Sequence, residues 1–200
     1  MAVITLSRQL GSLGFETAKL LSERLGYRLV YRELINQAAR RAGAPDVALA
    51  MIDELNLLGL KPSPEDLKIY LQTIKAVMWE LAEAGDVIIV GRAGQIVLAE
   101  RPETLHVRVI APVQTRVARL ADRLGISLEA ARAQVDASDR YHQQFFKRFY
   151  KVPWDGPGLY DLVINTAKFS PEDAAAMVCS ALNKCGCREE GREGVFGDSA

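Results

Sequence analysis

The 200-residue chain lacks the features that mark several broad classes of protein. It has no apolar run approaching about 18 residues and no basic segment followed by an apolar one at its start, which predicts a cytoplasmic protein without a membrane partner. Its 25 basic and 25 acidic residues cancel, so no long-range field attracts a nucleic acid. Its three cysteines all lie near the C-terminus, which argues against a disulfide framework.

A glycine-containing segment near the N-terminus is the strongest positive signal. An apolar run at residues 3–6 leads into Gly11-Ser12-Leu13-Gly14, and a helical pattern follows. We call residues 11–14 the glycine loop. Glycines at a strand–helix junction bring backbone N–H groups close to an anion, and the positive end of the helix adds attraction. The loop therefore predicts a phosphate site, although it lacks the lysine and hydroxyl of the G-x-x-x-x-G-K-[ST] motif.

Short β-rich runs alternate with helical periodicity along the chain, which is typical of an α/β fold with a parallel sheet covered by helices. Five strands are predicted, at residues 3–6, 28–30, 87–90, 106–110 and 162–165. The clearest helix covers residues 64–84, where apolar residues recur at intervals of three and four. Ser170-Pro171-Glu172-Asp173 supplies a cap, a proline and two acids, which predicts a helix over residues 171–183.

Two further segments are organised differently. Residues 31–60 are rich in Ala, Leu and Arg and are interrupted by glycine and proline, which predicts two helices that form a flap beside the sheet. Residues 184–200 show little apolar periodicity and are predicted to be a disordered tail. Cys185 and Cys187 in this tail are an alternative metal or thiol site, but no histidine or second cysteine pair lies nearby. An incidental exposed pair is therefore favoured, and no protein metal site is predicted.

A second candidate site follows the third predicted strand, at Gly91-Arg92-Ala93-Gly94. Ligands of open α/β sheets bind beyond the carboxyl ends of the strands, where this turn and the glycine loop both emerge. Arg92 would then lie near the loop, and its planar guanidinium is suited to a phosphate. The alternative is a loop arginine paired with a surface acid.

Two helices predicted after Pro112 each carry cations on one face. Arg116, Arg119 and Arg123 fall together on the first helix. The second helix has a cationic stripe containing Arg140, Gln144, Lys147 and Arg148, and an apolar stripe containing Leu128, Ala131, Val135, Ser138, His142, Phe145 and Phe149. A mobile cationic segment is what phosphoryl transfer needs, since its catalysis is mostly positioning and charge neutralisation.

Two other interpretations of these helices remain open. The cations form a solvated basic face in the first. In the second, residues 141–151 bind RNA, because aromatic and cationic residues alternate there as they do in a stacking groove. The helical register counts against RNA, since Phe145 and Phe149 fall on the apolar stripe.

Several short segments, in this order, resemble the cytidylate kinase-like family of P-loop proteins. The resemblance spans residues 3 to about 182 and rests on Ile4-Thr5-Leu6-Ser7-Arg8-Gln9-Leu10-Gly11-Ser12, Gly26-Tyr27, Tyr31-Arg32-Glu33-Leu34-Ile35, Val90-Gly91-Arg92-Ala93-Gly94-Gln95, Leu105-His106-Val107-Arg108, Arg148-Phe149-Tyr150 and Tyr160-Asp161-Leu162-Val163-Ile164-Asn165-Thr166. It implies a single P-loop kinase-like domain over residues 1–183. The fold would have three layers, with a five-stranded parallel sheet, a monophosphate-binding flap at about 31–60 and a helical lid at about 126–157.

The resemblance also implies how the functional roles are distributed. Gly11, Ser12, Leu13 and Gly14 would hold the donor phosphates, and Arg92 would hold the acceptor phosphate. From the lid, Arg140 would act in catalysis with Lys147 and Arg148. Asp139-Arg140 resembles the acid and arginine pair of the family's lid.

The chain departs from the family pattern in the loop and in the flap. Relatives usually read Gly-Ser-Gly-Gly-Arg-Glu where this chain has Leu13 and Phe15, so a glycine and a cation are replaced. Tyr31 stands where the pattern usually has an aspartate. Lys19 lies well inside the first helix, so Arg8 is the better candidate for the missing catalytic cation.

Two classes of function follow from these features. The first is an ATP-dependent kinase that transfers the γ-phosphoryl group to a nucleoside monophosphate, cytidylate-like, or to a similar small phosphorylated acceptor, with Mg²⁺ on the donor phosphates. The second is a nucleotide-binding or sensor module that keeps the anion site and has lost the chemistry. A homo-oligomer is compatible with either, and nucleic acid is disfavoured as a partner.

Overall fold

The computed structural model describes residues 2–41, 43 and 63–186. Its centre is a five-stranded parallel sheet with the strand order β2-β3-β1-β4-β5. The strands are β1 (Val3–Arg8), β2 (Arg28–Val30), β3 (Val87–Val90), β4 (Thr104–Ile110) and β5 (Leu162–Asn165). The predicted fold class and all five predicted strands are therefore confirmed.

Two strands are longer than predicted. Strand β1 continues through Ser7 and Arg8, which lie beside Arg108 and Val109 of β4. Strand β4 begins at Thr104, two residues earlier than its apolar run indicates. Polar side chains are compatible with these positions because a parallel ladder is formed by backbone groups.

The helices in the described ranges are α1 (Gly14–Leu25), α2 (Arg32–Arg41), α3 (Pro64–Ala84), α4 (Gly94–Val97), α5 (Val113–Leu124), α6 (Leu128–Phe149) and α7 (Pro171–Gly186). Side chains of α2 and α3 cover one face of the sheet, where Val3, Val87 and Ile89 are buried. Side chains of α1 and α7 cover the opposite face, over Ile4 and Leu6. Alternate strand residues thus enter opposite cores, which explains why the strands are apolar on both sides.

Side-chain caps fix the start of two helices. The Ser63 hydroxyl accepts a hydrogen bond from the Asp66 N–H at 3.0 Å before α3, and the Ser127 hydroxyl accepts one from the Ala130 N–H at 3.1 Å before α6. The predicted start of α7 is also confirmed, but its predicted end at residue 183 is wrong. The helix continues to Gly186 because no helix-breaking residue precedes that glycine.

The flap and the tail each lie partly within the described residues. Helix α2 provides the first of the two predicted flap helices, whereas the second falls on residues 44–60, outside the described residues. The predicted disordered tail is wrong for residues 184–186, and its remainder from 187 onward also lies outside them. Within the described ranges, none of the helices has an apolar stretch that could span a membrane.

Helices α5 and α6 form a hairpin with its own small core. Val117, Leu120 and Val135 are buried between the two helices, and Leu10 from the segment before the glycine loop packs against them. The predicted apolar stripe of α6 is wrong at its first member, because Leu128 is 64% exposed. Phe146, which the predicted stripe does not include, is buried instead.

Candidate active site

The glycine loop connects β1 to α1 in a tightly held conformation. Gly11 has a φ of 80°, and Leu13 has a φ of 59°, which is the left-handed region that glycine usually occupies. The Ser12 backbone N–H and hydroxyl both donate to the Gln9 carbonyl oxygen, at 3.1 and 2.8 Å. No side chain within the described residues caps α1. The first N–H groups of the helix are consequently available to an anion.

Both glycines of the loop are required by close approaches inside the protein. A Cβ atom at Gly11 would lie 2.6 Å from the Arg116 carbonyl oxygen, and one at Gly14 would lie 2.5 Å from the Arg8 Cβ atom. A side chain at position 14 and the present position of Arg8 therefore exclude each other. The glycine pattern indicated a tight loop, but it did not reveal these packing reasons.

A buried ion pair connects the loop region to α6. Arg116 is 1% exposed, and its guanidinium binds both Asp139 carboxylate oxygens at 3.2 and 2.7 Å. The same side chain donates to the carbonyl oxygens of Ala111 and Leu10. Asp139, predicted as a lid residue, thus fixes its part of α6 against the start of the glycine loop.

The other arginines of α5 also have protein partners. Arg119 donates to the carbonyl oxygen of Thr166 at 2.7 Å, and Arg123 lies 3.6 Å from Glu16. The predicted cationic face of α5 is therefore divided between separate ion pairs and hydrogen bonds, with Arg116 buried.

A pocket opens where β1, β2 and β3 end, the edge at which α/β proteins bind ligands. Arg8 and Arg92 both lie in its lining, whereas the four residues of the glycine loop do not. The remaining lining comes from Ser7, Tyr31, Gly91, Ala93, Gln95, Tyr141, His142, Phe145, Phe146 and Trp154. The pocket therefore combines two arginines with an aromatic wall, a composition suited to an anionic aromatic ligand.

The aromatic wall is formed by α6 and the segment that follows it. The His142 and Trp154 rings stack at 4.5 Å, and Tyr141 stacks on Phe145 at 6.2 Å. The His142 Nδ1 atom lies 2.8 Å from the Ser138 carbonyl oxygen, which fixes the orientation of the ring. Residues of the predicted apolar stripe thus serve as pocket wall as well as core.

The two pocket arginines are held by neighbouring groups. Arg8 donates to the Tyr31 hydroxyl at 2.8 Å, and its guanidinium lies 5.6 Å from the centre of that ring. Phe15, which follows the glycine loop, packs against Tyr31 at 5.4 Å. Arg92 has a φ of 56° and follows Gly91 in a tight turn. Burial raises the pKa of Tyr70 to about 12, an effect that the charge of Arg92 opposes.

The remaining predicted lid cations lie elsewhere. Arg140, Lys147 and Arg148 are exposed on α6 and are not part of the pocket lining. Arg148 lies over the Phe149 ring at 5.1 Å. Lys19 is exposed on α1, and its Nζ atom lies 5.1 Å from the centre of the Phe15 ring.

Metal-ligand clusters are not found in the described ranges, where no three His, Cys, Asp or Glu residues are grouped suitably. The described free cysteine is Cys179. Cys187 and the side chain of Cys185 fall outside what the structure describes.

Sequence reasoning missed three important residues near the pocket. Trp154 and Gln95 line it, and Arg108 lies beneath Ser7 with 4% of its surface exposed. An arginine within a β-rich run was the available signal for Arg108, since a strand covered on both faces excludes a solvated charge. No local pattern indicated Trp154, which reaches the pocket from a segment with little regular structure.

Comparison with known proteins finds relatives along most of the chain. A model of the cytidylate kinase-like family matches residues 3–168. A cytidylate kinase of Pyrococcus horikoshii is 32% identical over 184 residues, which cover 90% of this chain and 88% of that protein. A cytidylate kinase of Methanopyrus kandleri is 28% identical over 197 residues, which cover 94% and 96%.

Solved structures share the fold at low sequence identity. An uncharacterized protein from Eubacterium ventriosum matches with a TM-score of 0.72 and 19% identity, over 92% of this chain and 99% of that one. A gluconokinase from Sinorhizobium meliloti matches with a TM-score of 0.59 and 12% identity, over 96% and 98%. These neighbours support the P-loop kinase-like fold. Because the family model covers the sheet, the glycine loop and the whole pocket lining, the chain belongs to the cytidylate kinase-like family.

Proposed function

We propose that this protein transfers the γ-phosphoryl group of a nucleoside triphosphate to a nucleoside monophosphate of the cytidylate type. The observation that carries the proposal is the pocket at the carboxyl ends of the strands, whose lining contains Arg92 and also Arg8, which packs against Gly14 of the glycine loop. Two phosphate-binding features at one edge are what a donor and an acceptor require. The names of the P. horikoshii and M. kandleri relatives support cytidylate as the first acceptor to test.

The donor would bind at the glycine loop. The N–H groups of Gly11, Leu13 and Gly14, with the positive end of α1, would hold its β- and γ-phosphates. Arg8 would replace the absent loop lysine, since its Cβ atom fills the space beside Gly14. Charge-assisted bonds from its guanidinium would then neutralise the phosphate that is transferred.

The backbone N–H groups of the loop are suited to a triphosphate, whereas its side chains are poorly suited to hold a magnesium ion. Phe15 follows Gly14 where the P-loop pattern has its lysine and hydroxyl, and it contributes a ring packed on Tyr31. The Ser12 hydroxyl donates to Gln9, and the Thr17 hydroxyl donates to Leu13. No step is therefore assigned to a metal held by these residues, and Mg²⁺ would accompany the donor phosphates as part of the substrate.

The acceptor would bind in the pocket, with its base against the aromatic wall and its phosphate near Arg92. An oxygen of the acceptor phosphate would attack the γ-phosphorus of the donor. The bond between the γ-phosphorus and the oxygen that bridges the β- and γ-phosphates would break, and the donor would leave as its nucleoside diphosphate. Arg140 from the lid, with Lys147 and Arg148, would neutralise charge on the transferred phosphoryl group. Asp139 would keep this part of the lid connected to Arg116.

A mutation of Arg92 tests the assignment of the acceptor site. Arg92→Lys keeps the charge but loses the planar pair of donors, so affinity for the monophosphate should fall more than affinity for ATP. Isothermal titration with each nucleotide measures both. An equal loss of affinity for the two ligands would contradict the assignment and indicate a structural role for Arg92.

The alternative function is a nucleotide sensor without turnover, favoured by Phe15 at the position after Gly14. Titration with ATP and a panel of monophosphates in the presence of Mg²⁺, with heat and ADP release both recorded, separates the two functions. Binding together with acceptor-dependent ADP release supports the kinase. Binding without ADP release for every monophosphate supports the sensor.

A further inference from the structure

Arg108 is a buried cation that contacts two residues of the pocket lining. It lies on β4 beside Ser7 of β1 and is 4% exposed. Its Nη1 atom donates to the Trp154 carbonyl oxygen and the Tyr160 hydroxyl, both at 2.9 Å, and lies 3.5 Å from the Ser7 hydroxyl oxygen. Its guanidinium also lies 4.2 Å from the centre of the Trp154 ring. Ser7 and Trp154 both line the pocket.

No carboxylate balances this charge in the described part of the chain, where the partners of Arg108 are a carbonyl, two hydroxyls and two aromatic rings. Arg116, the other fully buried arginine of this region, has Asp139 as its counterion. A buried charge without a counterion is costly, and aromatic rings compensate it only in part. The arrangement would therefore be stabilised by an anion bound within a short distance.

The groups around Arg108 also form hydrogen bonds with one another. The Trp154 indole N–H donates to the Ser7 hydroxyl oxygen at 3.3 Å, and the Tyr160 hydroxyl donates to the Trp154 carbonyl at 2.7 Å. The Ser7 hydroxyl oxygen accepts from the Trp154 indole, and the Ser7 hydroxyl can direct its own hydrogen into the pocket. A ligand oxygen that accepted this hydrogen would lie about 6 Å from the guanidinium.

We propose that Arg108 is a positioning residue that makes the pocket select a dianionic phosphate ester over its neutral counterpart. The charge acts through Ser7 and Trp154 and does not require direct contact with the ligand. The proposal rests on the proposed function in assigning the acceptor to this pocket. It adds a third cation, from the sheet itself, to the two arginines that line the pocket.

Binding of cytidine 5′-monophosphate, cytidine and inorganic phosphate at constant ionic strength tests the proposal. Arg108→Met should weaken binding of the monophosphate and of phosphate by about tenfold or more, since one charge at this distance acts across a partly desolvated path. Affinity for cytidine should change less than about twofold, because the neutral ligand lacks the phosphate charge. Arg108→Lys should restore part of the lost affinity. Arg101→Met is the matched control, because this arginine precedes β4 at the amino ends of the strands, opposite the pocket, and pairs with Glu103.

The outcomes separate this proposal from the proposed function. Arg108-dependent phosphate binding without any phosphoryl transfer would sustain the proposal while the kinase assignment fails. Transfer with an unchanged ratio of monophosphate to cytidine affinity in Arg108→Met would overturn the proposal alone. Phosphate binding that is independent of Arg108, or no binding of phosphate or monophosphate by the wild type, would also overturn it.

A measurement on the wild type covers the case in which the variants do not fold. The Arg108 Nε–Hε resonance, assigned through bonds, should shift on addition of the monophosphate and much less on addition of cytidine. Equal shifts for the two ligands would contradict a charge-dependent role.

Discussion

Replacement of Gly11 by alanine tests whether the glycine loop is held against α5 by a close backbone contact. Gly11 has a φ of 80°, and its added Cβ atom would lie 2.6 Å from the Arg116 carbonyl oxygen. The left-handed backbone alone costs an L-residue about 1–2 kcal/mol. Overpacking adds about 1–3 kcal/mol. We therefore expect the free energy of unfolding to fall by about 2–5 kcal/mol in total.

Arg116 is poorly able to yield to the new methyl group. Its backbone N–H donates to Pro112, and its side chain is bound to Asp139, Ala111 and Leu10. Movement of its carbonyl would strain these bonds. The close contact should therefore lower the measured free energy of unfolding, because the surrounding structure cannot move away from the new methyl group.

Gly26→Ala is the matched control, because Gly26 ends α1 with a φ of 69° and a Cβ atom added there would meet no other atom within 4 Å. Its free energy of unfolding should fall only by the cost of the left-handed backbone, about 1–2 kcal/mol. Urea denaturation without nucleotide measures both variants, and an unchanged slope would show that the comparison concerns stability. Equal losses for Gly11→Ala and Gly26→Ala would refute the close-contact explanation.

Three further substitutions test the buried pair, the sheet and the lid. Asp139→Asn should lower the free energy of unfolding, measured in urea, by about 3 kcal/mol, because it leaves Arg116 as an uncompensated buried charge. Asp136→Asn, in the exposed pair with Arg132, should lower it by less than about 1 kcal/mol. Similar losses for the two variants would refute the role of burial. Burial lowers the pKa of His106, so the unfolded chain binds the proton more readily, and the free energy of unfolding should fall as the pH drops below about 6.5. His106→Asn should remove this contribution to the pH dependence of stability. An identical pH dependence in wild type and variant would contradict the prediction. Arg140→Ala should lower single-turnover transfer by about a hundredfold or more with ATP affinity retained, and unchanged transfer would reject its lid role.

The sheet could be predicted because its strands carry a local signal. Val87, Ile88, Ile89 and Val90 form a short apolar run, and the structure buries all four of them. The same reasoning located the glycine loop and Arg92, since the carboxyl ends of parallel strands meet at one edge. Apolar runs thus predicted the strands, and strand order predicted which end of the sheet carries the candidate site.

The lining and the buried charges could not be predicted in the same way. Arg108 depends on Trp154 and Tyr160, which are distant in sequence, and Arg116 depends on Asp139 of the next helix. The helical pattern does not distinguish the buried Arg116 from the exposed Arg123, because the two positions differ only in which other parts of the protein pack against them. Such partners are determined by tertiary packing, which the spacing of one sequence does not encode locally.

Transfer of a labelled phosphoryl group would establish whether this protein phosphorylates cytidylate. The wild-type protein is mixed in excess with ATP labelled at the γ-phosphate, cytidine 5′-monophosphate and Mg²⁺, and the quenched products are separated. We expect label at the β-phosphate of cytidine diphosphate, formed in proportion to the ADP released. Bound nucleotides with no label transferred to cytidylate or to any other nucleoside monophosphate would contradict this expectation.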